Sequence, residues 1–219
     1  MKIIALTDIH AKTGIFRQLA HVMKDADLVL LCGDITHFGR EKELSSIITQ
    51  LKQYNNNILG ITGNCDYPEA GNYLVKEGIS LDQTVKTIGN YRFFGIGGSL
   101  PCPGKTPNEY SEEEYEALLN DVTFEDDIPL ILVSHQPPFG VRNDEVTPGY
   151  HVGSHSIRKF IEMHKPVVCF TGHIHEGIAI DHVLSTAIIN PGPAGAGNYA
   201  FVEMEGPEIK QAGIVNLFK

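Results

Sequence analysis

The run Lys2-Ile3-Ile4-Ala5-Leu6-Thr7-Asp8-Ile9-His10 sets an apolar stretch of strand length directly against an acid and a histidine two positions apart. Four further runs in the 219-residue chain end the same way: Asp27–Cys32 leads to Gly33-Asp34, Asn57–Thr62 to Gly63-Asn64, Pro129–Ser134 to His135, and Pro166–Thr171 to Gly172-His173 and His175. Between the first three, Ile15, Leu19, Val22 and Met23, then Leu44, Ile47, Ile48 and Leu51, recur at helical spacing. Strand, helix, strand, helix, strand predicts a parallel sheet with crossover helices, hence an α/β fold. Such sheets bind ligands at the carboxyl ends of their strands, so Asp8, His10, Asp34, Asn64, His135, His173 and His175 are expected to meet on one rim.

The donor types in that set are chemically coherent. Two carboxylates, four imidazoles and one amide oxygen exceed the needs of one tetrahedral ion with an open position. They suit two ions that share a carboxylate. A single Asp after a strand commonly caps a helix, and a single His in a turn is commonly a surface group. The weight lies in the repetition at five successive strand ends.

Taken in order, Asp8-Ile9-His10, Gly33-Asp34, Gly63-Asn64-Cys65-Asp66, Ser134-His135 and Gly172-His173-Ile174-His175 resemble the five motifs of the calcineurin-like metallophosphoesterase superfamily. The resemblance implies a four-layer α/β/β/α sandwich with mixed sheets. It also implies a dinuclear centre: Asp8, His10 and His175 on one divalent ion, Asn64, His135 and His173 on the other, and Asp34 bridging. Hydrolysis of a phosphoester by a hydroxide shared between the ions would follow, with no covalent phosphoenzyme. The mixed nitrogen and oxygen donors favour manganese, iron, cobalt, nickel or zinc.

One departure bears on substrate. The superfamily's third motif reads Gly-Asn-His followed by an acid, and the resemblance assigns leaving-group protonation to that His; here Cys65 stands in its place, with Asp66 behind it. Small bacterial and archaeal phosphodiesterases of the superfamily also carry Gly-Asn-Cys-Asp. A thiol is a weaker general acid, and general acids contribute roughly 10²–10⁴-fold. The expectation is a preference for phosphodiesters and activated esters over alkyl phosphomonoesters. Cys65, Asp66 and His151 are the candidate catalytic residues, with His155 behind them. His151 and His155 flank Gly153-Ser154 at a helix start, where free N–H groups could also meet a phosphate. His37-Phe38 stand where protein serine/threonine phosphatases of the superfamily carry Asp followed by Arg, which removes support for phosphoprotein substrates.

Elsewhere the reading is coarser. Tyr91–Gly97 is strand-like, and Ser111 with Glu114 forms a capping box inside a Pro-rich, acidic surface insertion spanning about residues 99–128. Ser154 is a helix N-cap, with Ile157, Phe160 and Ile161 on one face of a helix that ends before Pro166. Residues 177–219 suggest a β-meander, and Asn190-Pro191-Gly192-Pro193 a structural turn. No linker divides the chain, so residues 1–219 are expected to form one domain.

Composition narrows the function classes. With 17 Lys and Arg against 27 Asp and Glu the net charge is −10, which disfavours a nucleic-acid partner and with it a nuclease. Nine of the acids lie in residues 109–127, which hold no Lys or Arg, so the acidity is local. A small phosphorylated substrate remains compatible with it. No apolar run reaches the length of a membrane span or a signal-peptide core, and the four cysteines show no CxxC spacing, so a cytoplasmic protein with free thiols is expected. The alternative is a non-catalytic scaffold like the phosphoesterase-like subunit of retromer, but such a scaffold has no need of seven intact ligands.

Overall fold

The computed structural model describes residues 1–124 and 128–219. The five motif-bearing runs all form strands, but they divide between two sheets. The first sheet holds β1 (Lys2–Leu6), β2 (Leu28–Cys32) and β3 (Ile58–Ile61), joined in parallel by α1 (Gly14–Lys24) and α2 (Glu41–Leu51). After β3 come α3 (Pro68–Lys76) and the hairpin β4 (Val85–Ile88) and β5 (Tyr91–Ile96). Further along, β6 (Leu130–Ser134) is followed by a short antiparallel ribbon, β7 (Glu145–Thr147) and β8 (Tyr150–His151), and then by β9 (Val168–Phe170). The second sheet is built on β5, β6 and β9, again in parallel. Neither α3 nor β4 was expected: only Ala70 and Leu74 of α3 are buried, and β4 is a four-residue edge strand with no buried residue, so both carry weak periodic signals.

Alternation along the strands explains the stacking. Ile4, Leu6, Val29 and Leu31 face outward and pack on the apolar faces of α1 and α2. Their neighbours Ile3, Ala5, Leu28 and Leu30 face inward and meet Phe93, Ile131, Val133 and Phe170 of the second sheet. The other face of that sheet, with Phe94, Leu132 and Cys169, is covered by α4 (Glu112–Asn120) and α5 (His155–His164). Period-two strands buried on both sides give four layers, helix, sheet, sheet, helix, as the resemblance implied.

Three expectations change. The tail is not one meander: β10 (Ala179–Val183) and β11 (Thr186–Asn190) form a hairpin on β9, whereas β12 (Asn198–Glu205) and β13 (Glu208–Asn216) form another on β1. The Asn190–Pro193 turn carries the chain across, with Pro193 bridging to Thr7. The 99–128 segment is no loose surface insertion either, because Tyr115 and Leu119 of α4 belong to the outer core. Ser111 and Glu114 do form the capping box there, while Glu125, Asp126 and Asp127 fall outside the described residues.

The start of α5 also differs. Ser154 caps it as expected, bonding the Ile157 N–H, but its N–H groups are not free for a phosphate. The Glu112 carboxylate accepts from His155 N–H at 2.7 Å and Ser156 N–H at 3.1 Å, so an acid of the chain already occupies the positive end of the helix. His155 itself stacks on Phe139, with ring centroids 4.0 Å apart.

Candidate metal centre

Each strand end turns abruptly where its donors begin. Asp8, His10, Asp34 and His173 all hold left-handed backbone, with φ of 51°, 46°, 50° and 67°. Such conformations cost non-glycine residues about 1 kcal/mol or more. Asp and His tolerate them better than bulky side chains do, and four of them in one place is strain concentrated at a site. Glycine is required beside two of them: a Cβ on Gly63 would collide with the Asp34 carboxylate and backbone, and one on Gly172 with Thr7 and Asp8.

These turns bring Asp8, His10 and His175 into one group of mutually close donors and Asp8, Asp34 and His135 into another. His175 Nε2 lies 3.2 Å from Asp8 Oδ1, and His10 Nε2 lies 3.8 Å from the same oxygen. Asp34 sits in the middle, with Oδ2 3.7 Å from His10 Nε2 and Oδ1 3.5 Å from His135 Nε2. Asn64 Oδ1 is 3.0 Å from the same His135 nitrogen. His173 stands one step out, its ring 5.3 Å from that of His135, and its N–H donates to Asp8 Oδ2. Cys65 comes closer than expected, forming a third donor group with His10 and Asp34.

Electrostatics tie the carboxylates of the cluster to its imidazoles. Burial pushes Asp8 up, but the His175 hydrogen bond and the His135 charge outweigh it and hold the carboxyl below its usual range. Asp34 behaves likewise: burial is overcome by the charge and hydrogen bond of His135. His135 is also buried, yet Asp34 draws its pKa up to about 9. Burial and the His135 charge together take His173 down to about 4. His10 is lowered chiefly by burial, and its Nδ1 is enclosed with no hydrogen-bond partner. Two enclosed carboxylates, clustered imidazole nitrogens and an amide oxygen are a donor set suited to divalent transition metals. The residues therefore fit two ions.

The surroundings hold these donors still. His135 Nδ1 donates to the Cys32 carbonyl, which leaves Nε2 facing the cluster. Thr7 Oγ donates to Asp8 Oδ2, and the Cys65 N–H donates to Asp34 Oδ1. Asp66 is fully buried and accepts from the Ile35, Thr36 and Gly63 N–H groups and the Thr36 hydroxyl. It thus ties the Asp34 loop to the Asn64 loop, while burial and the Asp34 charge push its pKa up to about 6. Asn190 donates to the Ile174 and Gly172 carbonyls and so braces the loop that carries His173 and His175. Nothing in the sequence marks Thr7 for this role, and Asn190 was expected only as part of a structural turn, a bracing part that its bonds bear out.

His37 lies against this cluster, whereas His151 is tied to Asp144 and Glu145. His37 meets His10 edge-on at 5.5 Å and Phe38 at 5.0 Å. His151 Nδ1 is 2.7 Å from Oδ1 of the fully buried Asp144, which also accepts from three backbone N–H groups. Its other ring nitrogen is 3.6 Å from Glu145. A cavity of about 210 Å³ beside it is lined by Arg142, Glu145, Pro148 and Glu176, the last adjacent to His175 in the chain.

A family model, calcineurin-like phosphoesterase, matches residues 1–177, and the chain belongs to that family. Family and donor clusters together define a metallophosphoesterase with a potential dinuclear centre. An uncharacterised protein of Methanocaldococcus jannaschii is 42% identical over 199 residues, 88% of each chain. A Thermus thermophilus structure superposes with a TM-score of 0.73 at 18% identity and 97% coverage of both chains. An archaeal phosphodiesterase does so with a TM-score of 0.55 at 18% identity, over 98% of this chain and 100% of that one. At such identities the likeness is one of fold. No helix among the described residues is long and apolar enough to cross a membrane.

Proposed function

We propose that the chain hydrolyses a phosphodiester or another small phosphorylated substrate at two divalent ions. Asp8, His10 and His175 would hold one ion, Asn64, His135 and His173 the other, and Asp34 both. The observation that carries this reading is Asp34, whose two carboxylate oxygens face His10 on one side and His135 on the other. When bound, the ions supply Lewis-acid stabilisation of phosphoryl charge and make water a competent nucleophile near neutral pH.

The chain's own residues do the rest. Thr7 and the His173 N–H hold one oxygen of Asp8 so that the other faces His175. Cys65 offers only a thiol where an imidazole would protonate a leaving group, which favours esters whose leaving groups need no proton. Asp66 acts as a positioning residue, its carboxylate already saturated by four donors. His151 is our choice to deliver a proton to poorer leaving groups. Asp144 fixes its Nδ1, and its neighbour Val152 accepts a hydrogen bond from Gln136, the residue after His135.

The test is to strip the protein of metal and reload it with manganese, iron, nickel, cobalt or zinc. Aryl and alkyl mono- and diesters, cyclic nucleotides and dinucleotides are then assayed in parallel. Metal-dependent hydrolysis with diesters ahead of alkyl monoesters is expected. A protein that binds no metal and cleaves none of them would be the scaffold instead.

A further inference from the structure

The Asn64 side chain could point its amide in either sense, and only one sense directs oxygen at the cluster. Its Nδ2 donates to Thr106 Oγ at 3.0 Å, so Oδ1 is turned toward His135 Nε2. Thr106 can only accept this bond because its own hydroxyl proton goes elsewhere, to Glu109 Oε1 at 2.7 Å. That carboxylate oxygen also accepts from the Thr106 N–H at 2.7 Å and the Cys102 thiol at 3.1 Å. Cys102, Thr106 and Glu109 belong to the acidic insertion, and Asn108 pins it to the strand end by donating from its N–H to Asn64 O and from Nδ2 to Gly63 O.

The geometry points to Thr106 as the residue that orients Asn64 for metal binding, with Glu109 setting the direction of the Thr106 hydroxyl. This rests on the proposed dinuclear centre and assigns the insertion a part in it. Without this restraint the ion would have to select the oxygen-facing sense against the other, and in the wrong sense a buried NH₂ would be left unpaired. Partners of metal ligands at this remove typically control affinity by about 10- to 100-fold. The relay is directional: Glu109 accepts, Thr106 donates to it and accepts from Asn64, and the Asn64 oxygen is left facing His135 and the cluster.

The experiment titrates the metal-free protein with Co²⁺ and with Mn²⁺ under chelator competition, reading both binding steps, for wild type, Thr106→Val, Thr106→Ser and Glu109→Gln. Thr106→Val is expected to weaken one of the two steps by about 10- to 100-fold and leave the other, while Thr106→Ser keeps wild-type affinity. Glu109→Gln should fall between them, and it serves as the second probe if Thr106→Val does not fold. Two wild-type binding steps in both Thr106→Val and Glu109→Gln, or equal weakening of both steps, would overturn the assignment of Thr106 while leaving the metal centre intact. A wild-type protein that binds fewer than two ions would instead sink the dinuclear reading itself.

Discussion

Asn64 Oδ1 and His135 Nε2 stand 3.0 Å apart although 71 positions separate them in the chain. Asn64 follows the last parallel strand of the first sheet and His135 follows β6, an inner strand of the second. Their meeting shows where the two sheets come together, at the strand ends and over the inward-facing core.

Asp34 touches both halves of the cluster, so Asp34→Asn should disable both. A loss of several kcal/mol in transition-state stabilisation corresponds to about 10²-fold or more in kcat/KM. Elemental analysis should show fewer than two bound ions in the variant. Wild-type turnover on an aryl diester would contradict a bridging role.

Cys65→His restores an imidazole beside the cluster. Turnover of an alkyl phosphomonoester should rise, within the roughly 10²–10⁴-fold range of general acids, while an aryl diester, whose leaving group needs no proton, should change little. Equal effects on the two substrates would argue that position 65 only fills space.

His151 carries a pKa raised by its hydrogen bond to Asp144, assisted by the charges of Asp144 and Glu145. The protonated ring is the donor, so kcat/KM for esters with poor leaving groups should fall as pH rises through that raised pKa. His151→Gln should abolish this alkaline limb without altering the number of ions bound. A superimposable pH profile removes His151 from the reaction.

Asp82 is half-buried beside the end of β3, accepting from Thr62 N–H and Oγ at 2.9 Å each, and its partial burial pushes its pKa up to about 6. A carboxyl whose folded pKa exceeds its unfolded value favours folding below the unfolded pKa, and that contribution fades as pH rises through about 6. Asp82→Asn lacks the titration. The stability gap between wild type and variant, read by urea denaturation, should therefore shrink by about 1 kcal/mol from pH 5 to pH 8. A gap that grows with pH would reverse the sign of this argument.

Glu112 closes the start of α5 with bonds to two N–H groups and the Ser154 hydroxyl. Glu112→Ala should cost about 1–2 kcal/mol in urea denaturation, the range of a lost helix cap with its charge. An unchanged midpoint would mean that water replaces the carboxylate at no cost.

Much of this was legible in one dimension because the rules involved are local. Strand runs, the helical spacing of Leu44, Ile47, Ile48 and Leu51, and the Ser111–Glu114 box depend on residues within a turn or two of one another. The tail was misread because the β10–β11 and β12–β13 hairpins look alike in sequence, and which sheet edge each joins depends on strands more than a hundred positions away for β1. The insertion was misread for a related reason. Its acids suggested solvent, yet Glu109 and Glu112 are held by donors from Thr106, Cys102 and the start of α5.

By itself the sequence determined the strand ends, the donor types and the order in which they occur, because each motif couples an apolar run to a polar turn within a few residues. Tertiary structure decided everything that depends on direction. It put the five strands in two sheets, turned Asp8, His10, Asp34 and His173 into left-handed backbone, and brought Cys65 beside His10 while leaving His173 behind His135. It also decided which way the Asn64 amide faces, through a threonine 42 positions along the chain. Apolar periodicity is written in neighbouring residues, whereas the aim of a side chain is set by whatever the fold packs against it.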